Sequence, residues 1–233
     1  MKKLTKTQKN KIRRVIVLVS AALIVALTVF FIIIKLFSVY YKQGTAMNEI
    51  SKTDYSEYDV DKPEITEMFL TENINSRPGK KLSKVNGVVV HYTANPGTDA
   101  EANRNYFESR KDMPDNNKNK VSSHFVIGLD GTIIQCIPLD EIAYASNDRN
   151  ADTISIECCH PDKSGKFNEA TYDSLIHLIA WLCKKYEFNR DRIIRHYDVS
   201  GKLCPLYYVE HEDKWEKLKR DAWKCFLNSK KTV

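Results

Sequence analysis

The sequence predicts an α/β fold, a single domain with a central mixed β-sheet flanked by helices, preceded by one N-terminal transmembrane helix. Three observations support this prediction. Short β-branched and apolar runs recur through residues 63–233, and segments with helical periodicity alternate with them and follow them. The N-terminus carries an uncharged apolar run of twenty residues, long enough to span a bilayer core as a helix. Residues 63–233, roughly 170 residues, are enough for one domain with a full core.

The N-terminal segment is typical of a signal anchor. The first 35 residues carry eight basic residues and no acidic one. Bulky and aromatic residues follow the apolar run, in place of the small residues of a cleavage site. We therefore expect residues 1–14 to be a basic cytoplasmic N-terminus and residues 15–36 an uncleaved anchor, with cleavage near Ala46 as the alternative. The protein would then be a single-pass protein of the cell membrane, with its domain outside the cytoplasm.

The charge is unevenly distributed along the chain. The whole chain has a net charge of +6, but residues 36–233 carry 28 basic and 30 acidic residues. We therefore expect no nucleic-acid partner. Residues 42–62 are polar and acidic and predict a tether, with the domain following at residues 63–233. Nothing in the sequence fixes an oligomeric state.

The elements of the domain follow from local patterns. Apolar and β-branched runs predict five short strands, at residues 88–90, 123–128, 132–137, 153–158 and 193–194. Asp130-Gly131, between the second and third runs, is a hairpin turn signal. Helical spacing predicts three helices, at residues 100–111, 169–186 and 212–227. Asp99 and Asn168 are the expected N-caps of the first two helices.

Side chains that can carry chemistry stand at the ends of three predicted strands. His91 and Glu157 each end a strand, and His196 follows the last one, with Lys202 and Cys204 just downstream. Strand ends that meet at one edge of a sheet commonly assemble a site. Two histidines and one cysteine can hold a zinc ion and leave its fourth position open, as catalytic zinc sites do. A carboxylate beside such an ion can take a proton from water, and a lysine can donate to an oxyanion.

Each of these residues also has a purely structural interpretation. A single histidine can be a core or surface residue, Glu157 can be an ordinary residue of a polar strand face, and Lys202 can be a solvated loop lysine. His124, at the start of the second predicted strand, is open to two interpretations. It can contact the substrate or lie close to the metal, or it can be a hydrogen-bonded core histidine.

The six cysteines all follow residue 135, and their spacing is irregular. If Cys204 binds a metal, an odd number remains. The domain is large enough to build its core without cross-links. We therefore expect mostly free, buried thiols, with one disulfide left open as an alternative.

Several ordered segments resemble a known family. The segments that carry the resemblance are residues 76–82, 88–97, 122–127, 137–144, 154–157 and 196–205. In this order they resemble the zinc-dependent N-acetylmuramoyl-L-alanine amidases of the type 2 class, which include phage endolysins, bacterial autolysins and peptidoglycan recognition proteins. The endolysin and autolysin branch of Gram-positive bacteria and their phages is the most similar. The resemblance implies a Zn²⁺ ion bound by His91, His196 and Cys204. It also implies that Glu157 is the catalytic carboxylate and that Lys202 stabilises the transition state.

The expected function is therefore that of a membrane-anchored peptidoglycan hydrolase. It would cleave the amide bond between N-acetylmuramic acid and the L-alanine of the stem peptide with zinc-activated water. The alternative is a non-catalytic, membrane-anchored muropeptide receptor on the same fold. Non-catalytic relatives typically lose the cysteine ligand, which is present here as Cys204. An unrelated zinc hydrolase of secreted peptides fits the metal ligands but not the ordered segments. The expected partners are peptidoglycan and the membrane.

Overall fold

The computed structural model describes residues 23–24, 27–35 and 53–231, which belong to two compact units that divide after Thr53. Residues 23–24 and 27–35 of the first unit are helical and exposed. The predicted cytoplasmic segment and much of the predicted anchor lie outside the described residues. Among the residues that are described, no helix is both long and apolar enough to cross a membrane.

The second unit is built on a six-stranded sheet with the order β1-β4-β3-β5-β2-β6. The strands are β1 (Thr66–Glu67), β2 (Val88–Tyr92), β3 (Phe125–Ile127), β4 (Ile133–Gln135), β5 (Ile154–Cys158) and β6 (Ile193–Arg195). β3 and β4 form the predicted antiparallel hairpin, and the remaining neighbours pair in parallel. The prediction of a mixed sheet is therefore confirmed. β1 was not predicted, because two exposed residues carry no readable pattern.

Five helices accompany the sheet in this unit. They are α1 (Ala100–Glu108), α2 (Glu169–Tyr186), α3 (His196–Ser200), α4 (Leu206–Glu210) and α5 (Glu212–Asn228). Both predicted N-caps are present: the Asp99 side chain accepts from the N–H of Ala102 at 2.7 Å, and Asn168 accepts from Thr171 at 2.9 Å. α1 ends three residues earlier than predicted, because the chain tightens there into a 3₁₀ turn. α3 and α4 were missed, because five residues are too few to show helical periodicity.

The two faces of the sheet carry different groups. Val88 and Val90 of β2 pack in one large core together with side chains of α2 and α5. Successive residues of a strand point to opposite faces, so His91 lies on the other face, the one that packs against α1. Glu157 of β5 alternates with buried isoleucines in the same way. All six cysteines are free thiols, and five of them are buried.

Part of the segment expected to be a tether contacts the domain. The compact second unit begins at Asp54, nine residues before the predicted start of the domain. The ring of Tyr58 lies 4.4 Å from the ring of Phe226 in α5, between centroids, and the N–H of Asp59 donates to the carbonyl of Ser229 at 3.0 Å. The polar composition of this segment therefore did not indicate the few aromatic contacts that it makes with the last helix. The earlier part of the predicted tether lies outside the described residues.

Candidate active site

Parallel strand ends bring the predicted site residues to one edge of the sheet. β2 lies between β5 and β6, and His91 is paired in register with Glu157. On the other side Val90 is paired with Arg195, so His196, the next residue, emerges beside His91. The chain then makes the short helix α3, which gives way to a left-handed turn at Gly201 (φ +75°), a conformation that favours glycine.

The turn returns the chain so that Cys204 faces the two histidines. Its Sγ lies 3.7 Å from Nδ1 of His91, and the ring centroids of His91 and His196 are 4.7 Å apart. One donor atom from each of the three residues falls within 4.8 Å of the others. A tetrahedral ion with bonds of about 2.1 Å to nitrogen and 2.3 Å to sulfur would separate these two kinds of atom by roughly 3.6 Å. The three residues therefore form a possible metal site whose spacing and donor set fit zinc.

The protonation states of these three residues favour a cation as the occupant. Burial lowers the pKa of His91 well below its usual range, and the neighbouring charges of His196 and Lys202 lower it further. Burial and then Lys202 lower the pKa of His196 to about 4. Both imidazoles are therefore neutral at neutral pH, with a lone pair available to a metal. Burial raises the pKa of the Cys204 thiol to about 12, and a bound cation would reverse this by favouring the thiolate.

Two further residues contact the histidines and were not found in the sequence. The hydroxyl of Ser146 lies 3.1 Å from Nε2 of His91, and Oδ1 of Asn147 lies 2.7 Å from Nε2 of His196. These bonds occupy the outer nitrogen of each ring and leave Nδ1 as the nitrogen available to a metal. Ser146 and Asn147 belong to the loop before β5, where no motif marks them.

Glu157 carries a largely buried carboxyl group, one oxygen of which is unsatisfied. Its side chain is 16% exposed, Oε1 lies 4.0 Å from Nδ1 of His91, and Oε2 has no hydrogen-bond partner. Burial raises the pKa of this carboxyl to about 8, although the positive charge of Lys202 opposes the shift. An ordinary residue of a polar strand face would be solvated or hydrogen-bonded, because an unpaired buried polar atom is costly. A carboxyl with a raised pKa beside a metal-ligand set indicates a catalytic acid–base group.

Lys202 is exposed, but its charge acts on the whole cluster. It lowers the pKa of all four buried groups, which are His91, Glu157, His196 and Cys204. Its positive charge therefore acts in the direction that would favour a negative charge in the cluster. A solvated loop lysine would also be exposed, so it is the proximity of the charge to the cluster that favours a role in the site.

His124 is buried in a separate hydrogen-bonded network. Its Nδ1 accepts from the N–H of Ser155 at 3.0 Å, so Nε2 carries the hydrogen and donates to the carbonyl of Glu141 at 2.9 Å. The side chain of Glu141 in turn pairs with Arg77 at 2.8 Å. Both ring nitrogens of His124 are therefore occupied, and the histidine is not part of the metal-ligand group. A hydrogen bond between a ring nitrogen of His124 and a substrate would require one of these bonds to break.

Comparison with known proteins places this arrangement in a family. A profile described as N-acetylmuramoyl-L-alanine amidase matches residues 81–206. The N-acetylmuramoyl-L-alanine amidase CwlL of Bacillus licheniformis is 36% identical over 159 residues, which cover 62% of this chain and 42% of that protein. The chain thus spans less than half the length of this relative.

Solved structures agree with the sequence comparison. The catalytic domain of XlyA is 30% identical with a TM-score of 0.55, and the match covers 68% of this chain and 99% of that one. The catalytic domain of PlyG is 25% identical with a TM-score of 0.59, over 73% of this chain and 99% of that one. The family profile, at residues 81–206, includes β2, β5, β6, α3 and the turn at Gly201 that assemble the cluster described above. The chain therefore belongs to the type 2 N-acetylmuramoyl-L-alanine amidase family, within its Gram-positive endolysin branch.

Proposed function

We propose that this protein is a zinc-dependent peptidoglycan amidase anchored in the cell membrane. It hydrolyses the amide bond that joins the lactyl group of N-acetylmuramic acid to the L-alanine of the stem peptide. The observation that carries the proposal is the largely buried carboxyl of Glu157, one oxygen of which has no partner, beside a His, His, Cys donor set in a chain of the amidase family. A receptor would have no use for a costly unpaired carboxyl at this position.

His91, His196 and Cys204 are the residues that would hold the metal. When bound, a zinc ion there supplies a Lewis acid beside the substrate carbonyl and favours the ionised carboxylate of Glu157. The two imidazoles and the thiol are neutral, so none of these three residues carries a positive charge that would oppose a cation.

Glu157 moves the proton in this mechanism. It accepts a proton from the attacking water as the water oxygen forms its bond to the carbonyl carbon. It then delivers that proton to the nitrogen of L-alanine as the carbon–nitrogen bond breaks, so the products are a lactyl carboxylic acid and a free amine. In the metal-free chain burial raises the pKa of this carboxyl to about 8, and the charge of a bound cation would oppose that shift, so Glu157 can both accept and release a proton near neutral pH. The Lys202 ammonium donates to the oxyanion that forms on the carbonyl oxygen.

The anchor part of the proposal rests on the sequence. The basic residues 1–14 and the uncharged run within residues 15–36 support a helix with a cytoplasmic N-terminus. The polar residues before Asp54 would then separate the domain from the membrane. An amidase held in this way acts on the wall close to the membrane surface.

Digestion of purified sacculi tests the catalytic proposal. The full chain should release muropeptides with new L-alanine amino termini, detected by mass analysis, and Glu157→Gln should abolish most of the release. The non-catalytic receptor is the competing function, and Cys204, which non-catalytic relatives typically lack, favours turnover. If the wild-type chain binds muramyl peptides but releases no L-alanine termini from any of them, the receptor function is correct.

A further inference from the structure

The loop before β5 contacts both histidines of the donor set at the ring nitrogen Nε2. The carboxamide oxygen of Asn147 can only accept, so Nε2 of His196 carries the hydrogen of this 2.7 Å bond and Nδ1 keeps its lone pair. The hydroxyl of Ser146, which can donate or accept, lies 3.1 Å from Nε2 of His91, whose Nδ1 faces Cys204. Two adjacent residues therefore engage the same nitrogen of two rings, one in β2 and the other at the start of α3.

The loop is held in shape by its own contacts. Oδ1 of Asn150 accepts from the backbone N–H of Ala145 at 3.0 Å and of Ser146 at 2.6 Å. Asn147 adopts a left-handed backbone with φ +51°, a conformation that asparagine tolerates better than most residues. Ser146 is buried. The hydroxyl and the carboxamide are thus placed by the backbone of the loop, and neither requires a metal to set its position.

We propose that Ser146 and Asn147 are positioning residues, which hold His91 and His196 by Nε2 so that each ring presents Nδ1 to a metal. This inference rests on the proposed function, because it assumes that the site binds zinc. The Asn147 acceptor selects the tautomer of His196, and both contacts restrain rotation of the rings. Partners of this kind typically contribute about 10–100-fold to metal affinity.

The competing interpretation is purely structural. The two bonds would then only stabilise the loop against the sheet, as buried hydrogen bonds do throughout the protein. The two interpretations differ in what each variant changes. A positioning role changes metal affinity at unchanged stability of the metal-free chain, whereas a structural role changes the stability of the metal-free chain first.

Zinc affinity of the full chain tests the proposal. The chain is stripped with a chelator, and its zinc dissociation constant is measured by competition with a chromophoric chelator. Asn147→Gly deletes the acceptor and accommodates the left-handed backbone, while Asn147→Asp keeps an acceptor at the same place. Ser146→Ala deletes the other contact. Ser122→Ala is the matched control, a buried serine whose hydroxyl accepts from the N–H of Tyr144 at 2.9 Å and contacts neither histidine.

The expected result is a loss of about 10–100-fold in zinc affinity for Asn147→Gly and for Ser146→Ala. Asn147→Asp should retain affinity, and Ser122→Ala should bind zinc like the wild type. The visible spectrum of the cobalt-substituted chain should change in the first two variants only, since it reports the geometry of the ligands. Thermal unfolding in chelator should show the metal-free variants Asn147→Gly and Asn147→Asp to be equally stable.

Two results would overturn the inference. One is wild-type zinc affinity and an unchanged cobalt spectrum in both Asn147→Gly and Ser146→Ala. The other is an affinity that falls only in proportion to the stability of the metal-free chain, in the control Ser122→Ala as well. These results leave the proposed function intact. Failure of the wild-type chain to bind zinc would instead overturn the proposed function, and this inference with it.

Discussion

Replacing Glu157 by glutamine should make the metal-free chain more stable at neutral pH while it removes activity. The carboxyl is largely buried, one of its oxygens has no partner, and burial raises its pKa from 4.5 to about 8. A group of this kind costs stability, and the protein retains it because the proposed reaction requires it. Glutamine has nearly the same shape and no charge, so the cost that depends on ionisation disappears.

The magnitude follows from the pKa values. Below pH 4.5 the carboxyl is protonated in both the folded and the unfolded chain and has no pH-dependent effect. Between pH 4.5 and 8 the unfolded chain loses the proton and the folded chain keeps it, so wild-type stability falls as the pH rises. One pKa unit corresponds to about 1.4 kcal/mol, so the loss at pH 7 is about 3 kcal/mol. The buried amide of glutamine costs about 1–3 kcal/mol, but this cost does not vary with pH.

Urea unfolding of the full chain in chelator, followed by tryptophan fluorescence, measures this difference. The free energy of unfolding of Glu157→Gln minus that of the wild type should rise by about 3 kcal/mol between pH 4.5 and pH 7. Glu67→Gln, at an exposed position of β1, is the matched control for the same chemical change. A difference that stays constant across this pH range would refute the reasoning, because it would mean that Glu157 ionises in the folded chain as it does in the unfolded one.

Three further predictions concern the site and the anchor. Cys204→Ser should lose most of its zinc, measured by metal analysis after dialysis, because a hydroxyl is a far poorer ligand than a thiolate; full occupancy with normal activity would contradict the ligand assignment. Lys202→Ala should keep its zinc and its affinity for muropeptide but release L-alanine termini about 10²–10³-fold more slowly, because one oxyanion donor is lost. A wild-type rate in this variant would show that Lys202 is only a solvated loop lysine. Protease added to intact protoplasts should remove the domain and leave residues 15–36 in the membrane, and a mature N-terminus near residue 47 would contradict the anchor.

Local patterns in the sequence were enough to predict most elements of the domain. The apolar run that ends at His91, the Asp130-Gly131 turn and the caps Asp99 and Asn168 all act over a few residues, so each is readable without tertiary contacts. The sequence also singled out the three residues that the structure brings together, because zinc chemistry restricts ligands to few residue types and the ordered segments resembled a family.

Only the tertiary structure decided which residues support that chemistry. β1 exists because its two residues pair with Ile134 and Gln135 of β4, which lie more than sixty positions further along the chain. Ser146 lies 55 positions from His91, and Asn147 lies 49 positions from His196, so no spacing rule could connect them. The burial that raises the pKa of Glu157 has the same origin, since it depends on what packs around the strand end and not on the strand itself. Residue types and local periods are properties of short segments, whereas desolvation and hydrogen bonds to a site are properties of the packed chain.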